Sequence, residues 1–125
     1  MATNSLEKFA ENIRRVWAPV SSELAADARL QMETLLRASP KESWLAAIHK
    51  SSTPHEELHR DPDHGFVLLA HTEHAGLYRP PHDHGRSWVI YGIQDGEMEM
   101  GTYARVEDAY GKVSLVQRGA NVLRP

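Results

Sequence analysis

The chain has 125 residues, 41% of them hydrophobic and 25% charged, enough for one domain around one core. Its formal net charge of -3, from 14 basic against 17 acidic side chains, lacks the basic surplus that phosphate neutralisation requires, which speaks against nucleic acid as a partner. Without cysteine it has no disulfide, thiolate metal ligand or cysteine nucleophile, and no apolar run approaches the roughly 20 residues of a membrane span. Residues 1–9 also lack the basic start and apolar stretch of a signal peptide, so a cytoplasmic protein is the expectation.

The apolar spacing changes character near residue 50. Before it the period is helical: Leu6, Phe9, Ile13, Val16 and Trp17 fall on one face, with Asn4 as N-cap, Glu7 three positions on, and Pro19 as a stop. A second helix is predicted over residues 22–37, with Leu24, Ala28, Met32, Leu35 and Leu36 facing inward. A third is predicted from Ser39 as N-cap, with Pro40 at its first position, Glu42 at its third, and Trp44, Leu45 and Ile48 on its apolar face. These faces read as core, not as a cofactor box.

After Pro54 short strands alternate with turn residues. Strands are predicted at 57–60, 66–72, 77–79, 87–93, 97–106 and 113–117, with one more beginning at Val122. The turns between them fall at 61–65, 73–76, 94–96, 108–112 and 118–121. In the strand at 66–72, Val67, Leu69 and His71 share one face. Strands at this spacing argue for a barrel or sandwich, so the fold class is α+β: a helical region over residues 1–52 followed by a barrel portion over 53–125, together one structural domain.

All 8 histidines lie between His49 and His84. The informative run is Arg79-Pro80-Pro81-His82-Asp83-His84-Gly85, because two histidines at i and i+2 of a strand point to the same side and can converge on one ion. Pro80 and Pro81 stiffen the approach, Gly85 lets the backbone leave, and Trp88 and Tyr91 can wall the site. Gly76, five residues, His82-Asp83-His84 and then Gly96 resemble the first motif of the cupins, the double-stranded β-helix proteins. Where ordinary cupins place a glutamate ligand, this chain has Trp88 and Val89. The run from Pro81 to Gly96 is in that respect similar to the cysteine dioxygenase-like branch, the thiol dioxygenases.

That resemblance implies a cupin-type antiparallel jelly roll and mononuclear ferrous iron, although another divalent transition metal would suit the same donors. It implies His82 and His84 as two of three histidine ligands, Arg60 as the group that binds the substrate carboxylate, and oxidation of a small thiol carboxylate such as cysteine by dioxygen to the sulfinate. Asp83 points away from its flanking histidines and is not read as a ligand. The Cys–Tyr crosslink of some members cannot form, since Val89 stands at that position. The second cupin motif would begin where the sequence reads Leu123-Arg124-Pro125, so the jelly roll is expected to be incomplete at its C-terminus and the third histidine to lie beyond Pro125. Completion by a second copy in a homodimer, or substitution by His71, are the alternatives. His74 reads as a turn residue, and His49, His55, His59 and His64 as surface or loop residues. Unpaired strand edges predict a chain that alone is dimeric, insoluble or marginally stable. The competing functional readings are a non-catalytic cupin that binds a metal or small ligand, and another metal-dependent cupin enzyme such as an isomerase or carbon–carbon dioxygenase.

Overall fold

The computed structural model describes residues 4–51 and 53–125. In chain order its elements are α1 (Ser5–Val16), α2 (Ser22–Leu36), α3 (Ser43–Lys50), β1 (His55–Arg60), β2 (Val67–His71), β3 (Met98–Glu107) and β4 (Val113–Leu123). The α+β class is as expected. Both sheets are two-stranded and antiparallel, β1 with β2 and β3 with β4, and the described residues form no closed barrel. The chain divides into two compact units, Met1–Leu77 and Tyr78–Pro125.

In the first unit the helices begin where capping chemistry allows. The Asn4 side chain accepts the Glu7 amide at 2.8 Å and the Ser21 hydroxyl accepts the Leu24 amide at 3.1 Å, each satisfying an amide that the first helical turn leaves open. Of the inward positions read from the periodicity, Phe9 and Ile13 of α1, Leu24, Ala28 and Leu35 of α2, and Leu45 of α3 are buried, joined by Ala10, while Leu6, Val16, Met32 and Leu36 are only partly covered. Asn12 donates to Gln31 at 3.0 Å between α1 and α2. The third helix starts later than predicted, at Ser43. Ser39 closes a tight turn instead of capping a helix, its carbonyl taking the Glu42 amide and its hydroxyl the Lys41 amide. The Glu42 carboxylate is spent elsewhere, on the Ser5 amide at 2.7 Å at the electropositive end of α1. The hydroxyl and amide of Ser5 hold that carboxyl below its ordinary value.

The β1–β2 hairpin turns through residues 61–66. The Asp61 amide bonds to the Phe66 carbonyl at 2.9 Å, and Gly65 takes the positive φ of +77° that its turn requires. Asp61 is 1% exposed. One carboxylate oxygen accepts the amides of His64 at 2.7 Å and Asp63 at 3.2 Å; the other lies 3.0 Å from Arg14 Nε of α1 and 3.8 Å from His59 Nε2. Arg14 also pairs with Asp63, and Trp17 stacks on Phe66 at 5.1 Å and on His64 at 5.8 Å. Burial pushes the Asp61 carboxyl up, but the His64 amide, the Arg14 guanidinium and the Asp63 amide outweigh it, and the carboxyl sits below its ordinary value. In β2 the face shared by Val67, Leu69 and His71 is the outward one. Leu68 is buried, and Val67, Leu69 and His71 are exposed. The strand has one covered side, and Leu68 occupies it.

The second unit contains no buried residue. Its hairpin turns at Asp108, whose carboxylate accepts the amides of Tyr110 at 2.8 Å and Lys112 at 2.9 Å, with Gly111 at φ +80°. The predicted turn at 118–121 is instead strand. Gly119, Ala120 and Asn121 pair with Thr102, Gly101 and Met100, so β4 continues through the segment, with a register shift at Arg118, because β3 supplies it with a partner. The converse holds at 77–79 and 87–93, where no strand forms. Extended backbone needs a neighbouring chain to satisfy its amides and carbonyls, and none of the described strands lies beside these residues. Accordingly 94–96 is a bend into β3, with Gly96 at φ +82°, and not a hairpin turn.

Two measurements check this account of the first unit. Leu24→Ala should cost about 2–5 kcal/mol in denaturant unfolding because it opens a cavity in the core, whereas Leu30→Ala, at a site 57% exposed, should change stability by less than about 0.5 kcal/mol. Asp61, with its pKa lowered on folding, stabilises the fold above the ordinary carboxylate value, and that contribution should disappear as pH falls through the lower folded value. An Asp61→Asn variant should therefore lose stability at neutral pH and show a flatter fall of stability between about pH 5 and 2 than the wild type, read by thermal unfolding across pH.

Candidate metal centre

His82 and His84 lie in the second unit on residues that belong to neither helix nor strand, and both are exposed. The strand that was to point both rings one way is absent, yet the rings stand 5.3 Å apart, edge to face at 79°. Short-range bonds set this arrangement. His82 Nδ1 lies 3.0 Å from the Pro80 carbonyl. A carbonyl only accepts, so Nδ1 carries the proton and the neutral ring presents its lone pair at Nε2. The Asp83 carboxylate accepts the Gly85 amide at 3.0 Å, and the Ser87 amide donates to the His84 carbonyl at 3.0 Å. The chain turns there through Gly85, at φ +61°. Asp83 is thus a turn-forming side chain, in keeping with its reading as a non-ligand.

Tyr91 was read from sequence only as a wall. Its hydroxyl lies 3.1 Å from His84 Nε2, with the rings 6.3 Å apart. That contact fixes the orientation of His84 and occupies one of its two nitrogens, leaving Nδ1 as the other donor. A spacing of seven residues through a turn carries no sequence signal for such a bond.

The remaining site candidates belong to the first unit. Arg60 ends β1 exposed, with its Nε and Nη2 at 2.9 and 2.5 Å from Glu57 Oε1. His71 ends β2 and stacks on His55 across the strand pair, ring centres 5.7 Å apart. His55 was assigned to the surface individually; it comes opposite His71 only because the register shifts between Glu57 and His59, since an uninterrupted count outward from the turn would have put Glu56 there. His64, also read as a loop residue, is exposed and stacked on Trp17. His59 is only 28% exposed along its side chain, because the 61–66 turn folds Asp61 and Phe66 against it.

Among the described residues no group of three or more histidine, aspartate or glutamate side chains is arranged to hold a metal ion, and no helix is long and apolar enough to cross a membrane. Comparison with protein-family models, with curated proteins and with solved structures gives no match. The candidate donors in the second unit are the imidazoles of His82 and His84, nitrogen ligands of the kind that first-row divalent ions accept.

Tyr91→Phe tests the bond that orients His84. The imidazole nitrogen resonances of His84 should move while those of His55 and His71 stay in place, and the contact between the His82 and His84 rings should weaken in nuclear Overhauser spectra. Unchanged His84 nitrogen shifts would show that the bond does not form in solution.

Proposed function

We propose that the chain carries the metal-binding half of a cupin-type jelly roll and acts as a mononuclear non-haem iron oxidoreductase of the thiol dioxygenase kind. The observation that supports this reading is the His82–His84 pair, 5.3 Å apart between ring centres, with His82 Nε2 directed to serve as donor by the bond from Nδ1 to Pro80. A backbone carbonyl on the far nitrogen of a metal-binding histidine is the usual device for holding its tautomer and raising its basicity. The pair fits the donor chemistry of ferrous iron and is one donor short of the three-histidine set. A histidine C-terminal to Pro125, or one from a second copy of the chain, would complete it.

Iron, if held by His82 and His84, would bring thiolate and dioxygen together so that both oxygen atoms add to sulfur, the sulfur itself giving up the four electrons that reduce dioxygen, to yield the sulfinate. The chain's own residues bind and orient. As metal ligands His82 and His84 would add no negative charge, so the site would keep a net positive charge that favours an anionic sulfur. Tyr91 holds the His84 ring, and the Gly85 turn sets the span between the two rings. Arg60 is the group the resemblance assigns to the substrate carboxylate, and its guanidinium is held by Glu57. A second reading, metal or small-ligand binding without turnover in a cytoplasmic protein, is favoured by the two-donor set and by the exposure of both rings.

The protein purified without chelator should retain iron, and His82→Ala with His84→Ala should remove it, each single change weakening binding by about tenfold or more. Oxygen uptake with cysteine or 3-mercaptopropionate, with sulfinate as product, supports the dioxygenase. Iron retention without thiol-dependent oxygen uptake supports the binding module. Iron content unchanged in the double variant rules out both.

A further inference from the structure

We propose that His55 and His71 form a second metal site, a two-imidazole clamp for a divalent transition-metal cation of the copper or zinc class. Cα pairing sets His55 directly opposite His71 in the antiparallel β1–β2 ladder. The Thr72 amide donates to the Pro54 carbonyl at 2.8 Å, one residue outside the pair on each strand. In an antiparallel ladder that bond frames a non-hydrogen-bonded pair, the position where facing Cα atoms come closest, about 4.5 Å, and where side chains leave the same face. The two rings accordingly stack, 5.7 Å between centres and 27° between planes.

Both residues are exposed and stand at the open end of the two-stranded sheet, away from its Asp61 turn. Imidazole χ2 is a broad, soft torsion, so modest ring rotation brings one nitrogen of each onto a shared ion without moving the backbone. Two nitrogen donors on a fixed scaffold favour ions at the top of the divalent stability order, copper foremost, with water filling the remaining positions. The described residues offer no third protein donor there, which sets the site apart from a closed structural zinc centre. An ion bound across the ladder ties the first residue of β1 to the last of β2, and so adds its binding energy to the stability of the hairpin. This inference is independent of His82 and His84.

The test uses the full 125-residue chain and substoichiometric Cu(II), read as paramagnetic broadening of assigned imidazole resonances. His55 and His71 should broaden together. In His55→Gln the His71 resonance should stay sharp at the same copper ratio, and in His71→Gln the His55 resonance should do so; both positions are exposed, and unchanged far-ultraviolet circular dichroism confirms that the hairpin persists. Zn(II) added in place of copper, and in excess, should raise the melting temperature of the wild type but not of the double glutamine variant. The His82→Ala, His84→Ala protein should keep the broadening at His55 and His71, which separates this site from the one proposed above. His71 broadening that survives His55→Gln, or rings that stay sharp in the wild type, would overturn the clamp.

Discussion

The first unit is organised around a carboxylate taken out of water. Asp61 is 1% exposed, and an ionised group in that position is tolerated only where charge and hydrogen bonds replace its hydration. Those replacements come from two directions. The His64 and Asp63 amides reach one oxygen because Gly65 lets the turn close, and Arg14 reaches the other because α1 passes beside the hairpin. The turn, the helix and the strand pair are thereby committed to one arrangement, with the Trp17–Phe66 stack joining the end of α1 to the turn. The carboxylate sets geometry, while the stabilising free energy comes from the apolar side chains of α1, α2, α3 and β2.

The second unit is held differently. It has no buried side chain, and a lone two-stranded hairpin is marginal in water. Outside the β3–β4 ladder its order comes from bonds between near neighbours in sequence: the Asp108 carboxylate on its own loop, Asp83 on Gly85, His82 on Pro80 and Tyr91 on His84. The candidate metal donors are thus set by local chemistry. Each of these bonds forms within a segment of at most eight residues, so the pair can keep its spacing without a barrel wall behind it.

The two histidine pairs illustrate two ways of bringing imidazoles together. His82 and His84 are near because they are neighbours on a short turn, a proximity any reader of the run Pro81-His82-Asp83-His84-Gly85 can see. His55 and His71 are near because a ladder sets them opposite each other, although the chain between them carries a six-residue turn and most of two strands. The second proximity gives better control of distance, since ladder register fixes it, while the first leaves ring orientation to the bonds from Pro80 and Tyr91.

The helices, the N-cap at Asn4 and much of their inward faces were legible in the sequence because a period of 3.6 and a capping side chain are local signals. So were the α+β class, the loops at 61–65 and 108–112, and the pairing of His82 with His84. Strand identity was not legible. The residues 87–93 have the composition of a strand and lack a partner, whereas 118–121 have the composition of a turn and gain a partner in β3. Which face of β2 turns inward, where the Glu42 carboxylate goes, and which side chain holds His84 all depend on residues distant in the chain or folded back by a turn. Local preference along the chain determined the helices, the turns and the histidine motif; pairing and burial, which exist only once separate segments meet, decided the strands, the buried Asp61 and the approach of His55 to His71.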